Sequence, residues 1–581
     1  MGADPVVVRV TEVAERGKGN PGLRRVLRGG AVNMAGAVVG AGLNLALIVA
    51  ITRAFSQEAA GLLFSATSVF LIAAAVANVG APDGLVYFIA RLRVLGRAGA
   101  VPRLVRLATV PAVLVACGAG VLMAAFAGPM ADALGTDDAA VYLRLLAVFL
   151  PFAVLLDTAL AATRAHHSMA ATALLDKVGR PLAQVGLVGA ITLSGSAGAL
   201  ALAWAGPYLP AAVLAWFWLG RILRRAAPAE AAGGAGAAVG AEPGADGAAA
   251  PAGVGPDPWG AGGGRGPGGA GGPERPAASA GAETSAGEAA PAGAGAPGGA
   301  ATSAGAGAST GVEPVSPAEF WAFSLPRAVA GVAQMGVQRG GVVLTALLGG
   351  LTGAAVFTAA TRVMVVGQFG AQTVLSAAQP RFAEQLATGD HDGVRALYAA
   401  GTSWLMCLTW PLYLTALVFA PEVMGVFGEG YAAGATALVV VCAGQLAASL
   451  LGMGDLILTM TGRTGMNLFN NLLALAVSVA GCLLLVPVAG ATGGALALVA
   501  AVLVRKGLPL WQLRSEVVLR PLGRPVLVAM GGCLLWFGAV PLAASWALGG
   551  GLLPLAVSVV VGSLGHLGTV WACRGVLGLR N

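Results

Sequence analysis

The chain has 581 residues, 57% of them hydrophobic and only 10% charged, where an ordinary soluble domain carries about 25% charge. That is too little charge to cover a water-soluble fold of this size, and too much apolar surface for a chain disordered throughout, so the composition predicts a polytopic membrane protein. The net charge of +8 comes from 34 basic and 26 acidic residues, and their positions, given below, place it in loops rather than on a nucleic-acid-binding face.

About 20 apolar residues carry a helix across the hydrocarbon. Fourteen stretches meet that length: 31–52, 61–82, 104–128, 141–163, 181–196, 198–219, 322–348, 351–378, 400–420, 432–455, 468–487, 489–510, 525–546 and 551–572. We number them as spans one to fourteen. Spans five and six are the weakest, parted only by Ser194-Gly195-Ser196. The first stretch begins near residue 31 and is long enough to span, so it reads as a membrane helix rather than a cleaved leader.

The arginines test the count. Basic residues crowd the N-terminal tail (Arg9 to Arg28), the loop after span two (Arg91 to Arg106), and every later even-numbered loop, ending with Arg574 and Arg580. By this count 29 of the 34 fall on one side. The loop after span three is acidic instead, with Asp132, Asp137 and Asp138. Basic residues stay with the cytoplasmic loops, so the phase predicts fourteen helices with both termini cytoplasmic. Lysine occurs only three times, and the wealth of Ala, Gly and Arg suggests a GC-rich bacterial genome and hence a bacterial cytoplasmic membrane.

Residues 226–316 are nearly all Ala, Gly, Pro, Ser and Thr. Such a stretch buries too little apolar surface to offset its ordering entropy, so it is expected to be disordered. As a flexible coil it spans roughly 50 Å. The expected organisation is a basic tail over 1–30, a six-helix half over 31–225, the linker, a second six-helix half over 317–513 and an additional two-helix hairpin over 514–581. The halves are weakly alike. Gly61–Leu92 and Gly353–Leu386 each start at a small-residue turn, run through a long apolar helix and end in a basic amphipathic segment. The expected fold is therefore all-α, two six-helix pseudo-repeats in parallel plus two C-terminal helices, with a substrate path between the halves.

An ionisable residue at membrane depth points to an interior cavity or a partner. Arg53 and Arg144 lie at span ends and can snorkel, as can Arg327. Arg339 and Arg362 lie about 14 and 16 Å from the outer ends of spans seven and eight at 1.5 Å per residue, at similar depth on neighbouring helices. Two guanidiniums so placed repel unless an anion or carboxylate lies near, and the guanidinium fork suits phosphate oxygens. Gln334 and Gln338 share a face with Arg327, and Asn33 and Asn44 share one on span one. These amide stripes fit a sugar-facing wall and equally fit helix packing. Asp157, the deepest acid, is the candidate for charge coupling or for pairing with the arginines. Asp83 and Asp455 are expected to be wet. The six cysteines read as packing residues, the four histidines form no ligand pattern, and neither a metal nor a cofactor is implied.

Three segments carry a family resemblance. Ile51-Thr-Arg53-Ala-Phe-Ser-Gln-Glu58-Ala-Ala-Gly61, Pro421-Glu422-Val-Met-Gly-Val-Phe427-Gly428-Glu-Gly-Tyr431 and Val486-Pro487-Val-Ala-Gly490-Ala-Thr-Gly493-Gly-Ala resemble, in order and placement, segments of the polysaccharide-biosynthesis flippases of the multidrug/oligosaccharidyl-lipid/polysaccharide exporter superfamily. The resemblance covers about 30–225 and 318–513. It departs at Arg339, where many members have an acid. It implies that a lipid-linked glycan, anchored on polyprenyl phosphate, is moved to the outer leaflet by alternating access, by a monomer working with polysaccharide-assembly proteins. A lipid II flippase is a neighbouring variant of that class. One alternative is a cation-coupled multidrug exporter of the same superfamily, which would use Asp157. The other is a membrane-embedded glycan polymerase or ligase, but no loop carries a nucleophile–base pair or metal site, so an enzyme is not expected.

Overall fold

The computed structural model describes residues 21–95, 97–166, 168–192, 197–238, 315–514, 522–549 and 551–577. The chain divides into two compact units, Met1–Ala232 with Pro314–Asn581, and Gly233–Glu313. The expected linker falls mostly in the second, and its residues 239–314 lie outside the described residues. The stretch from 226 to 238 belongs to a helix, Tyr208–Ala238, that continues span six.

The first unit is a polytopic all-α membrane protein, without a strand among the described residues. Within the described residues each of the fourteen apolar stretches is mainly helical. In the first half the helices are Pro21–Ala54, Gln57–Asn78, Val101–Ala125, Asp138–Ala165, Arg180–Ile191 and Ala197–Ala205 leading into Tyr208–Ala238. The second half starts with Pro317–Met335. A π-helical turn, Gly336–Gly340, joins it to Gly341–Ala387, and His391–Val418, Ala435–Leu450 and Thr464–Gln512 follow. Gly341–Ala387 carries the last turns of span seven into span eight, and Thr464–Gln512 holds spans eleven and twelve. Gly341–Ala387 folds back at Gly350 (φ 81°, ψ 167°) and Thr464–Gln512 at Gly490 (φ 51°, ψ −127°). Both conformations favour a residue without Cβ. Nine helical segments among the described residues are long and apolar enough to cross a membrane, two of them long enough to hold a pair of spans, and spans one, five and nine are not among the nine.

Local chemistry sets the span ends. Ser56 caps span two by accepting from the Ala59 N–H at 3.2 Å, and Ser316 caps span seven by accepting from Glu319 N–H at 3.1 Å, with Pro317 at the first helical position. Span two stops at Val79 and Gly80, both left-handed, and restarts as the amphipathic helix Ala81–Val94. Span six breaks before Tyr208, and Gln184 donates to the freed Trp204 carbonyl at 2.6 Å. The Ser194-Gly195-Ser196 turn lies outside the described residues.

Apolar side chains such as Leu114, Leu484 and Val488 are more than 65% exposed, the outward face that lipid covers. Inside, Ala and Gly let helices approach closely. Span two packs along span eight, its counterpart in the other half, so the pseudo-repeats meet through equivalent helices. Gly61 lies so close to the Leu351 backbone that a Cβ would overlap it. Spans thirteen and fourteen rest on span nine through Met406, Trp410, Cys533 and Phe537, away from the contact between the halves.

Candidate functional site: a polar cavity in the second half

The halves are held together at both ends of span two. On the arginine-poor side, Arg53 Nε donates to the Val426 carbonyl at 2.8 Å, and Gly428 and Gly430 come against Thr52 and Gln57. Two of the three sequence motifs thus meet each other there. On the arginine-rich side, Arg91 pairs with Glu319 at 2.6 Å, and Tyr87 stacks on Phe323 with ring centroids 4.3 Å apart. Gly80 and Gly84 allow the close approach of Ser324 and Phe320.

A cavity of about 420 Å³ lies within the second half, with every lining residue drawn from spans seven to twelve and the short helix Gly454–Met460. Its lining is unusually rich in amides. Span seven supplies Gln334 and Gln338, span eight Gln368, Gln372 and Gln379, span ten Gln445, and span eleven Asn467 and Asn471. Asp455, Arg505 and Lys506 stand at the arginine-rich end. Lys506 Nζ donates to both Asp455 oxygens at 2.9 Å. The Asp455 side chain is 24% exposed, so the acid expected to be wet is instead half-buried in an ion pair. Beyond the mouth, Asn470 and Gln512 exchange amide hydrogen bonds at 2.9 and 2.8 Å and tie the ends of spans eleven and twelve.

The sequence-predicted residues fall into three groups. Gln334 and Gln338 line the cavity. Arg327 shares that side of span seven but lies about 10 Å nearer the arginine-rich end. There it stacks on Phe323 at 3.7 Å and donates to its carbonyl at 3.0 Å. Arg339 and Arg362 are half-buried and do not line the cavity. Arg339 follows Gln338 directly within the π-helical turn and so points away from it, on the side where its charge reaches Tyr208 of the first half. Arg362 Nε donates to the Thr358 carbonyl at 3.3 Å, and the two guanidiniums act on each other's charge, as equal depth on neighbouring helices predicts. Among the described residues no carboxylate forms an ion pair with either. Asn44 is exposed and donates to the Gly40 carbonyl of its own helix at 2.9 Å. Asn33 lies in the same helix, and its side chain falls outside the described residues.

Asp157 belongs to a separate polar cluster in the first half. Asn78 Nδ2 donates to it at 2.8 Å. Nearby, Arg180 holds Asp176 at 3.0 Å and lies 4.9 Å from the Tyr208 ring centroid. The expected alternative of an Arg339–Asp157 pair is not what forms; the partner is Asn78.

Sequence reasoning missed the three glutamines of span eight, although Gln368, Gln372 and Gln379 recur at four and seven residues on one helix face. Gln445, Asn467 and Asn471 come from distant helices, and only the packing brings them in.

No family model matches the sequence, and no curated protein does. Solved structures do match. The lipid II flippase MurJ, in an inward closed conformation, aligns over 95% of this chain and 100% of its own, with a TM-score of 0.63 and 9% identity. The chain shares the fold of that flippase. An inward-facing multidrug resistance MATE family transporter of the MOP superfamily aligns over 84% of this chain and 97% of its own, with a TM-score of 0.54 and 13% identity. At these identities the likeness is one of fold.

Proposed function

We propose that the protein is a flippase for a lipid-linked glycan, moving a headgroup from the arginine-rich, cytoplasmic side of a bacterial cytoplasmic membrane to the outer leaflet. The observation that carries this reading is the amide-lined cavity reaching into the membrane from a charged mouth. Amides offer a donor and an acceptor each, as sugar hydroxyls require, whereas a hydrophobic drug is better held by apolar and aromatic walls. The solved flippase whose fold matches supports it. Arg339 and Arg362, two uncompensated cations at mid-depth beside the first half, suit a phosphate crossing between the halves. The contacts at both ends of span two are those that alternating access would break in turn. No step requires a bound cofactor or an enzymatic reaction, and both chain termini are placed in the cytoplasm.

Asp157, hydrogen-bonded at membrane depth, favours the second reading, a cation-coupled drug exporter, and the MATE likeness is compatible with it. The two separate in proteoliposomes loaded in parallel with fluorescent undecaprenyl-diphosphate oligosaccharide or with ethidium under a proton or sodium gradient. Protein-dependent exposure of the glycolipid without ethidium movement is the expected result. Ethidium efflux that is lost in Asp157→Asn, with no glycolipid exposure, would overturn the proposal.

A further inference from the structure

The lining of the second-half cavity is graded along its depth. Charge is confined to the mouth, where Asp455, Arg505 and Lys506 stand, and no other ionisable side chain except Tyr413 lines it. From Gln379 near the mouth to Gln368 inside, span eight advances roughly 16 Å. Near the mouth, at the start of span eleven, Asn471 is 4% exposed. Its Nδ2 donates to the Asn467 carbonyl at 2.9 Å, and its buried Oδ1 has no hydrogen-bond partner. A buried acceptor without a donor calls for one from a ligand or water. An uncharged sugar supplies hydroxyl and acylamino donors. Deeper in, along Gln368 and Gln372, a uronic acid or other anionic sugar would bring a charge where no cation lines the cavity.

The mouth has the complementary chemistry. The Lys506 ammonium is only 16% exposed and is spent on Asp455. Arg505, its neighbour, also acts on the Asp455 charge. The depth is that of lipid phosphates, since span twelve ends only a few residues later, at Gln512. A lipid-linked diphosphate carries two charges against one on a carboxylate and accepts from several donors at once, so it can take Lys506 over.

We propose that this cavity is the headgroup subsite. An uncharged sugar, plain or N-acylated, lies against the glutamines of span eight, and the lipid's phosphate docks on Lys506 and Arg505 in exchange for Asp455. The proposal rests on the glycan-flipping reading and names the substrate class for it.

The test is calorimetric titration of the full purified chain in detergent with three probes: farnesyl diphosphate, farnesyl diphosphate carrying N-acetylglucosamine, and farnesyl diphosphate carrying glucuronic acid. The N-acetylglucosamine probe binds on the order of tenfold tighter than farnesyl diphosphate, and the glucuronate probe gains nothing. Gln368→Leu with Gln372→Leu abolishes the sugar-dependent gain and leaves farnesyl diphosphate unchanged. Asp455→Asn, which releases Lys506, tightens all three probes severalfold, a change that a merely structural ion pair would not give. Should that variant fail to fold, Asp455→Leu with Lys506→Met, which removes both charges together, weakens all three about tenfold. Equal wild-type affinity for the three probes, or a sugar gain that survives the glutamine substitutions, overturns the subsite. Flipping of a glycolipid without sugar-dependent binding would leave the transport reading standing and remove this one; sugar-dependent binding without flipping would do the reverse.

Discussion

Gly61→Ala tests whether the close packing of spans two and eight is the closure of the arginine-poor side. A Cβ at Gly61 would overlap the Leu351 carbonyl oxygen and stand 2.6 Å from its carbonyl carbon. Ordinary contact begins at 3.4 Å, and the obstacle is backbone, which cannot swing aside. The spans must part by roughly 1 Å, and overpacking of this kind costs about 1–3 kcal/mol. Only the closed arrangement bears that cost. The equilibrium therefore shifts about 5- to 150-fold toward opening on that side. Ser65, one turn along the same face, is 2% exposed and bonds the Gly61 carbonyl at 2.7 Å, so Ser65→Cys is a near-isosteric reporter. In a background with the six native cysteines replaced, a membrane-impermeant maleimide applied from the arginine-poor side should label it faster by that factor. Gly118→Ala, with nothing within 4 Å of its Cβ, should leave the rate unchanged. Equal labelling in all three proteins, each monodisperse, would refute the reasoning.

Three further tests follow from the geometry. Gly350→Ala forces a side chain into a conformation that essentially only glycine adopts and should cost about 1–3 kcal/mol, read as a lower unfolding midpoint in detergent, whereas Gly531→Ala, in open space within a helix, should hold or raise it. Lys506→Met leaves Asp455 half-buried and unpaired and should lower the midpoint by the equivalent of about 3 kcal/mol, most of it recovered when Asp455→Leu is added; no recovery would mean that the pair is not the cause. Arg339→Ala with Arg362→Ala should abolish glycolipid transport with the protein still in the membrane, measured as leaflet exposure per reconstituted protein, and undiminished exposure would remove the arginines from the path.

The fold was legible because a membrane helix writes two long-range signals into a sequence, apolar length and the side on which arginine falls. Both survive loose motifs, and within the described residues each of the fourteen stretches is mainly helical. Less legible was whatever departs from a straight helix. The π-helical turn Gly336–Gly340 aims Gln338 into the cavity and Arg339 away from it, which no periodicity assigns in advance. Asp455 reads as wet from its position near a span end, yet Lys506, fifty-one residues on, holds it half-buried. The span-eight glutamines were readable from their spacing, but an amide stripe becomes a wall only when other helices close around it. The meeting of the Arg53 segment with the Phe427-Gly428 segment likewise belongs to tertiary structure alone.

The most direct test of the account is the leaflet exposure of a fluorescent undecaprenyl-diphosphate oligosaccharide in liposomes, followed with an impermeant quencher before and after the purified protein is reconstituted. Flipping predicts that quenching proceeds beyond the outer-leaflet share to near completion, at a rate that rises with protein per vesicle. Quenching that halts at the outer-leaflet share, about half of the label in sealed vesicles, at every protein density would contradict the account.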